Sequence, residues 1–339
     1  MTLVCQVDPN GDWDAFVARD PGATFCHLAA WRAIMTDVLR NECLYFAALD
    51  SSGEWEGVLP LVRVRAPLLG HYLVSMPFLN AGGPVGTLPA RLALADAAVA
   101  EAKRSGADLV ELRARDAVPG DLRLSQRKIT VALPLPETAE ALWAAFSSKL
   151  KSQIRRPQKA GFESRFGPEQ RDAFYDVFAR NMRALGTPVL PADLFESIAL
   201  RLADHVVFGV VYRGSEPVAA GCGFIWRDGF ELTWAASLRE HSAAAPNMLL
   251  YWSFMSHLIE RGVRRFDFGR CTPGGGTHRF KQQWGGADVP LPWAQWTSRN
   301  VTAPPTPDRP VFRAAAACWR RLPLVLTNAI GPIIARRLP

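Results

Sequence analysis

Between Phe266 and Gly286, the stretch FDFGRCTPGGGTHRFKQQWGG places a carboxylate, a guanidinium, a thiol, an imidazole and an ammonium around a glycine-rich loop. Asp267 could accept a proton, or it could pair with the neighbouring Arg264 or Arg265. Arg270 closes an apolar alternation, and its planar fork suits a phosphate or carboxylate. His278 is a second candidate base, and equally a structural or solvated histidine. Cys271 would be a nucleophile only with a depressed pKa, and no partner for it is visible in the sequence. A second stretch, SSKLKSQIRRPQKAGF at 147–162, carries five bases and no acid. An anionic ligand, a lipid surface or solvent could face it.

These residues need a frame. Residues 50–77 and 212–237 each show a polar turn, an apolar strand, a second turn and another apolar strand, the signature of a β-meander. Residues 94–114 and 247–270 each show an apolar-striped helix, a glycine at the helix stop (Gly106, Gly262) and an alternating strand. The order predicts two copies of one α/β unit, strands then helix then strand, with the helix packed on the sheet. Between the copies, residues 134–156 predict one helix with an apolar stripe of Leu142, Trp143, Phe146, Leu150 and Ile154. Pro157 is expected to break or kink it. Asn80–Gly86 precedes a helix beginning near Pro89, and Gly82 and Gly83 could let backbone N–H groups approach a phosphate. The matching place in the second copy, LREHSAAAPNMLL, has no glycine, and Pro246 has no N–H.

The chain of 339 residues, 49% apolar and 21% charged, has ample material for two domains. Its net charge of +7 favours anionic partners mildly. Six dispersed cysteines form no zinc or CxxC pattern and predict reduced thiols, with no metal site. Neither a secretory leader nor an apolar span is expected, which points to a cytoplasmic protein. The tail from Val311 onward is apolar and basic. It either packs back on the first domain or touches an anionic membrane surface from the inner side.

The motifs FCHLAAWRAIM, GVLPLVRVRAPLLG, MPFLNAGGPVG, KLKSQIRRPQKAGF, RALGTPVLP and FDFGRCTPGGGTHRFKQQWGG together resemble the FemAB-related proteins. The branch they resemble is the one associated with exopolysaccharide and PEP-CTERM/exosortase clusters. The resemblance implies an α/β fold of α+β type: two tandem GNAT-like domains with mixed sheets flanked by helices, plus a helical tail. The expected boundaries are 1–136, a basic connecting helix at 137–163, 164–300, and a tail at 301–339 packing on domain 1.

By the same resemblance the activity is transfer of an aminoacyl group from charged tRNA, or of an acyl group, to an amine on an envelope glycan or small molecule. The donor is a co-substrate, aminoacyl-tRNA or acyl-CoA, and no cofactor is tightly bound. Such transfer needs a positioned carbonyl and a stabilised oxyanion. Lys281 matches the lysine of the family's FK-x-x-(F/W)-G segment and is the expected oxyanion stabiliser, with Asp267 and His278 as candidate bases. Arg270, Thr277, Phe280 and Trp284 are expected substrate contacts, as are Gly186 and Thr187, and Gly82 and Gly83. Lys151, Arg155, Arg156 and Lys159 are expected to contact phosphate or tRNA.

The sequence departs from muramyl-peptide-binding members at Met35 and at Gly186–Pro191, where those enzymes carry basic residues. This argues against a nucleotide-linked muramyl peptide acceptor. Two other readings stay open. One is an acyl-CoA-dependent N-acetyltransferase using the Gly82–Gly83 loop. The other is a non-catalytic RNA-binding or assembly protein.

Overall fold

The computed structural model describes residues 2–66, 70–298 and 310–338. The chain divides into two units. Unit 1 comprises Met1–Lys128, Pro290–Pro310 and Ile333–Pro339; unit 2 comprises Ile129–Val289 and Val311–Pro332.

Unit 1 begins with β1 (Leu3–Val7), α1 (Gly11–Arg19) and a short α2 (Ala30–Ala33) that runs into a π turn. The meander β2 (Glu42–Leu49), β3 (Trp55–Ala66) and β4 (Gly70–Val74) follows. Then come a two-residue β5 (Val85–Gly86), α3 (Leu88–Ser105), β6 (Leu109–Leu112) and β7 (Arg123–Ser125). The sheet order is β1-β2-β3-β4-β6, then the late strand Trp293–Thr297, then β7. Among the described residues of this sheet only β4 and β6 pair in parallel, because α3 carries the chain back to the starting end. Thr87 caps the first turn of α3, and Gly106 ends it at φ 69° in the left-handed region. The buried face of α3 is Ala90, Leu94, Ala95, Ala98 and Ala102, which lets the helix lie close on the sheet.

Unit 2 repeats the plan. It contains β8 (Ile129–Pro134), α4 (Ala139–Ala145), α5 (Ser148–Lys159), β9 (Phe162–Phe166), α6 (Arg171–Leu185) and α7 (Ala192–Arg201). The second meander is β10 (Val206–Arg213), β11 (Glu216–Trp226) and β12 (Gly229–Ser237). It leads through α8 (Pro246–Glu260) to β13 (Arg265–Cys271), α9 (Gly276–Gln282) and β14 (Ala287–Pro290). The order is β14-β8-β13-β12-β11-β10-β9, with β12 and β13 parallel. Here the helix face is bulky: Met248, Leu249, Tyr251, Phe254, Met255 and Leu258 are buried. Room for Phe254 comes from a cross-strand pair, Gly209 and Gly221. A Cβ on either would lie 2.8 Å from its ring.

Four expectations shift. The helix expected at 134–156 is two helices, because Phe146 is extended and Ser147 caps a new start by accepting from the Leu150 N–H. Pro157 does not end the second one, which runs two residues further with Pro157 buried in its last turn. The helix is also no free connector. Leu150 and Ile154 join the core of unit 2, so that unit begins at Ile129 and not after residue 163. The tail forms α10 (Pro310–Trp319) and α11 (Leu324–Ala335), and residues 311–332 belong to unit 2 rather than domain 1. The reason is contact: the Arg183 guanidinium donates to Leu322 O (2.5 Å), and Gly331 packs on Val189. Residues 299–309 of the expected second domain and tail lie outside the described residues.

Candidate active site

β13 is regular up to Asp267 and then bulges. Its register against β8 shifts between Asp267 and Arg270, and Gly269 takes φ 71°, a conformation that suits glycine. Asp267 holds this bulge from within, for its Oδ1 accepts the Gly269 N–H (2.8 Å) and the hydroxyl of Thr130 on β8. The Thr130 hydroxyl also lies 2.9 Å from Gly269 O. Directly across the parallel pair from Asp267 sits Glu231 of β12, also buried.

Lys281, on α9, reaches back to the same bulge. Its ammonium donates to Gly269 O (2.5 Å) and Arg270 O (3.0 Å), and the residue is 3% exposed. Burial pulls its pKa below the ordinary lysine value, while nearby Cys271, Asp267 and Glu231 pull the other way. The result is a buried cation beside two buried carboxylates, fixed to a distorted strand end. In such a low-dielectric setting an ammonium acts strongly on a developing oxyanion, and a carboxylate acts strongly on an ammonium proton.

His278 is tied on both sides. Its Nδ1 accepts the Gly274 N–H (3.0 Å), so the other ring nitrogen carries the proton and donates to Asp288 (2.8 Å). It has no free lone pair for a substrate proton, and its place is to pin the glycine loop to β14. Arg270 and Thr277 are exposed at the site's edge. Trp284 is not a surface contact, whereas Phe280 is half-buried. Trp284 is buried against Phe146, Tyr251 and Phe268, and Phe280 packs on Tyr251 at 5.0 Å.

The basic helix α5 lies against α8. Arg156 donates to Ala243 O (3.3 Å) in the turn Arg239–Ala244 that enters α8. That turn ends at Ala245, left-handed at φ 57°, and no side chain caps the helix. Arg155 stacks 5.1 Å from the Trp143 ring, and Lys151 donates to Ala144 O, while Lys159 is exposed. A pocket of about 280 Å³ opens at the end of β12, lined by Arg180, Arg183, Ser237, Arg239 and Glu240.

The remaining expected contacts lie in local turns and loops. Gly186 ends α6 at φ 79°, and a Cβ there would lie 2.7 Å from Ala316 O of the tail. Thr187 closes the same turn by donating its N–H to Met182 O. In unit 1 the Gly83 N–H is taken by Arg113 O (2.8 Å), and Gly83 O by His27 Nε2 (2.9 Å). A Cβ on Gly83 would meet Ala114 at 2.7 Å, and one on Gly82 would meet Met76 at 2.6 Å. These glycines allow close packing, and the Gly83 N–H is already bonded within the protein. Sequence reading missed Thr130, Glu231 and Asp288. The first two are brought in by strand pairing and leave no local signal. Asp288, ten residues after His278, was within reach. No group of three or more potential metal ligands is present among the described residues.

Residues 144–282, from the end of α4 to the end of α9, match the family described as the Acetyltransferase (GNAT) domain. No curated protein matches the chain. Among solved structures it is similar to one titled FemX, at 16% identity and TM-score 0.65, over 88% of this chain and 98% of that one. It is also similar to the C-terminal domain of a putative lysylphosphatidylglycerol synthetase from Agrobacterium fabrum (12%, TM-score 0.57, 94% and 95% covered). A tandem GNAT protein from the clavulanic acid biosynthesis pathway is a third (11%, TM-score 0.50, 89% and 100% covered). At these identities the likeness is one of fold: two tandem GNAT-type α/β units.

Proposed function

We propose that the chain is an N-acyltransferase whose unit 2 performs the transfer. It moves an aminoacyl group from charged tRNA, or an acyl group from another phosphate-bearing donor, to an amine of an envelope or exopolysaccharide-related acceptor. The observation that carries this reading is the basic face of α5 tied through Arg156 to the glycine-free entry of α8, within the GNAT-matched segment. Exposed Arg155, Arg156 and Lys159 supply the charge that a tRNA or other polyphosphate donor needs.

In this scheme the donor carbonyl is attacked by a neutral amine at the bulge of β13. Lys281 stabilises the oxyanion and holds the Gly269 and Arg270 carbonyls in place. Asp267, or its neighbour Glu231, takes the amine proton. Collapse of the tetrahedral intermediate expels the donor's oxygen or sulfur, to which the same carboxylic acid returns the proton.

Acyl-CoA as donor is the second reading. It is not favoured through the Gly82–Gly83 loop, whose Gly83 N–H is already bonded. The test is a titration of the intact protein with charged tRNA, uncharged tRNA and acetyl-CoA at near-physiological salt. Preferential binding of charged tRNA, weakened by neutralising Arg155, Arg156 and Lys159, is expected. Binding of acetyl-CoA alone overturns the tRNA assignment.

A further inference from the structure

The tail helix α11 is amphipathic in the reverse of the usual sense. The residues it packs inward are small: Thr327, Gly331 and Ala335, each four apart, are buried. The residues it turns outward are large and aliphatic. Val325 is 83% exposed and Ile333 54%, with Leu326, Ile330 and Ile334 also exposed. At 100° per residue these five cover about half of the helix circumference, opposite the buried stripe. Water is a poor neighbour for such a continuous face.

The charge around this face is one-sided. Residues 309–339 hold six arginines and no acid. Arg320 and Arg321 precede the helix, and Arg336 and Arg337 follow it. At its end, in unit 1, Arg336 and Arg337 line a basin of about 310 Å³ together with Arg40, Arg63, Arg65 and a single acid, Glu42. Arg63 is mostly neutralised by Glu42 and Glu101, but its Nε is buried without a hydrogen-bond partner. Arg40, Arg65 and Arg337 are exposed. No helix among the described residues is long and apolar enough to cross a membrane.

We infer that α11 is an interfacial docking helix for an anionic phospholipid bilayer. Val325, Leu326, Ile330, Ile333 and Ile334 enter the acyl boundary, and the arginines meet lipid phosphates. An apolar face flanked by arginines, on a helix too short to span, fits the headgroup–acyl boundary on both counts. A protein partner would match the apolar face without calling for acid-free flanks. The inference does not rest on the transfer reading, since it concerns a different surface and is read without any acyl donor.

The test is co-sedimentation of the full chain with phosphatidylcholine vesicles, with and without phosphatidylglycerol. Binding to the anionic vesicles is expected, roughly tenfold or more above the neutral ones. Val325→Asp with Ile333→Asp changes two exposed positions and should abolish it with the melting temperature kept. Arg321→Gln with Arg337→Gln should weaken it by about fivefold for each charge removed. Three results would overturn the inference: no pelleting with anionic vesicles, equal pelleting of the aspartate variant, or a dimer in lipid-free sedimentation that the aspartate variant dissociates. The last would give the face to a second copy of the chain.

Discussion

Glu111 of unit 1 and Asp267 of unit 2 stand 156 residues apart, the spacing that also separates Gly106 from Gly262. Both lie on the strand that pairs in parallel with the end of a meander. Glu111 is saturated: Arg113 donates to one oxygen (2.8 Å) and Gln295 to the other (2.7 Å). Arg113 in turn donates to Leu79 O and stacks on Trp293. Asp267 instead stabilises a bulge of its own strand and shares its surroundings with Glu231 and a buried lysine. One frame therefore carries two treatments of buried charge. In unit 1 it is cancelled by the neighbouring Arg113. In unit 2 two carboxylates and a lysine lie near one another at a strand end bordered by exposed Arg270 and Thr277. The two units share a plan and differ in how a buried carboxylate is held.

The comparison breaks most sharply at Lys281. Lys281→Met should lower kcat for acyl transfer by roughly a hundredfold or more, and single-turnover kinetics with a charged donor would read it. It should also reduce stability, because the buried Gly269 carbonyl loses its donor, at about 1–3 kcal/mol. Glu111→Ala is the counterpart in unit 1. It leaves Arg113 buried without its carboxylate, at about 3 kcal/mol, seen in chemical denaturation, while kcat per folded molecule holds.

Gly83→Ala should cost about 1–3 kcal/mol through overpacking on Ala114, with donor affinity unchanged by calorimetry. A donor affinity that fell would return the acyl-CoA reading to unit 1. Neutralising Arg155, Arg156 and Lys159 together should weaken tRNA binding roughly tenfold and flatten its salt dependence by about two charges.

The smallest effect is in pH. The lowered pKa of Lys281 means that the folded protein gives up this proton before the unfolded chain does. Between that pKa and 10.5 the unfolded state binds more protons, so stability rises with pH there, and Lys281→Met removes the rise. Activity runs the other way, falling as the ammonium is lost below the ordinary lysine range.

The repeat was legible because its markers are local. Gly106 and Gly262 must be left-handed, and the meanders alternate within single strands. The acid–lysine cluster was half legible: Asp267 and Lys281 stand in one motif, but Thr130 and Glu231 arrive through pairing that no local pattern encodes. Trp284 reads as a substrate contact because an aromatic beside a lysine looks the same in sequence whether it faces a ligand or a core. The break at Ser147 was missed because the apolar stripe continues across it; only the cap distinguishes one helix from two.

The last strand of the unit 1 sheet, Trp293–Thr297, has a consequence for synthesis. A ribosome releases residues 1–128 long before residue 293, so β6 and β7 emerge without the strand that joins them. Until then β6 carries an open edge that could pair with another nascent chain. Meanwhile β8 has already left to complete the other sheet. Neither unit is a contiguous piece of the gene, and a truncation placed before Trp293 would cut unit 1 as surely as one placed inside it.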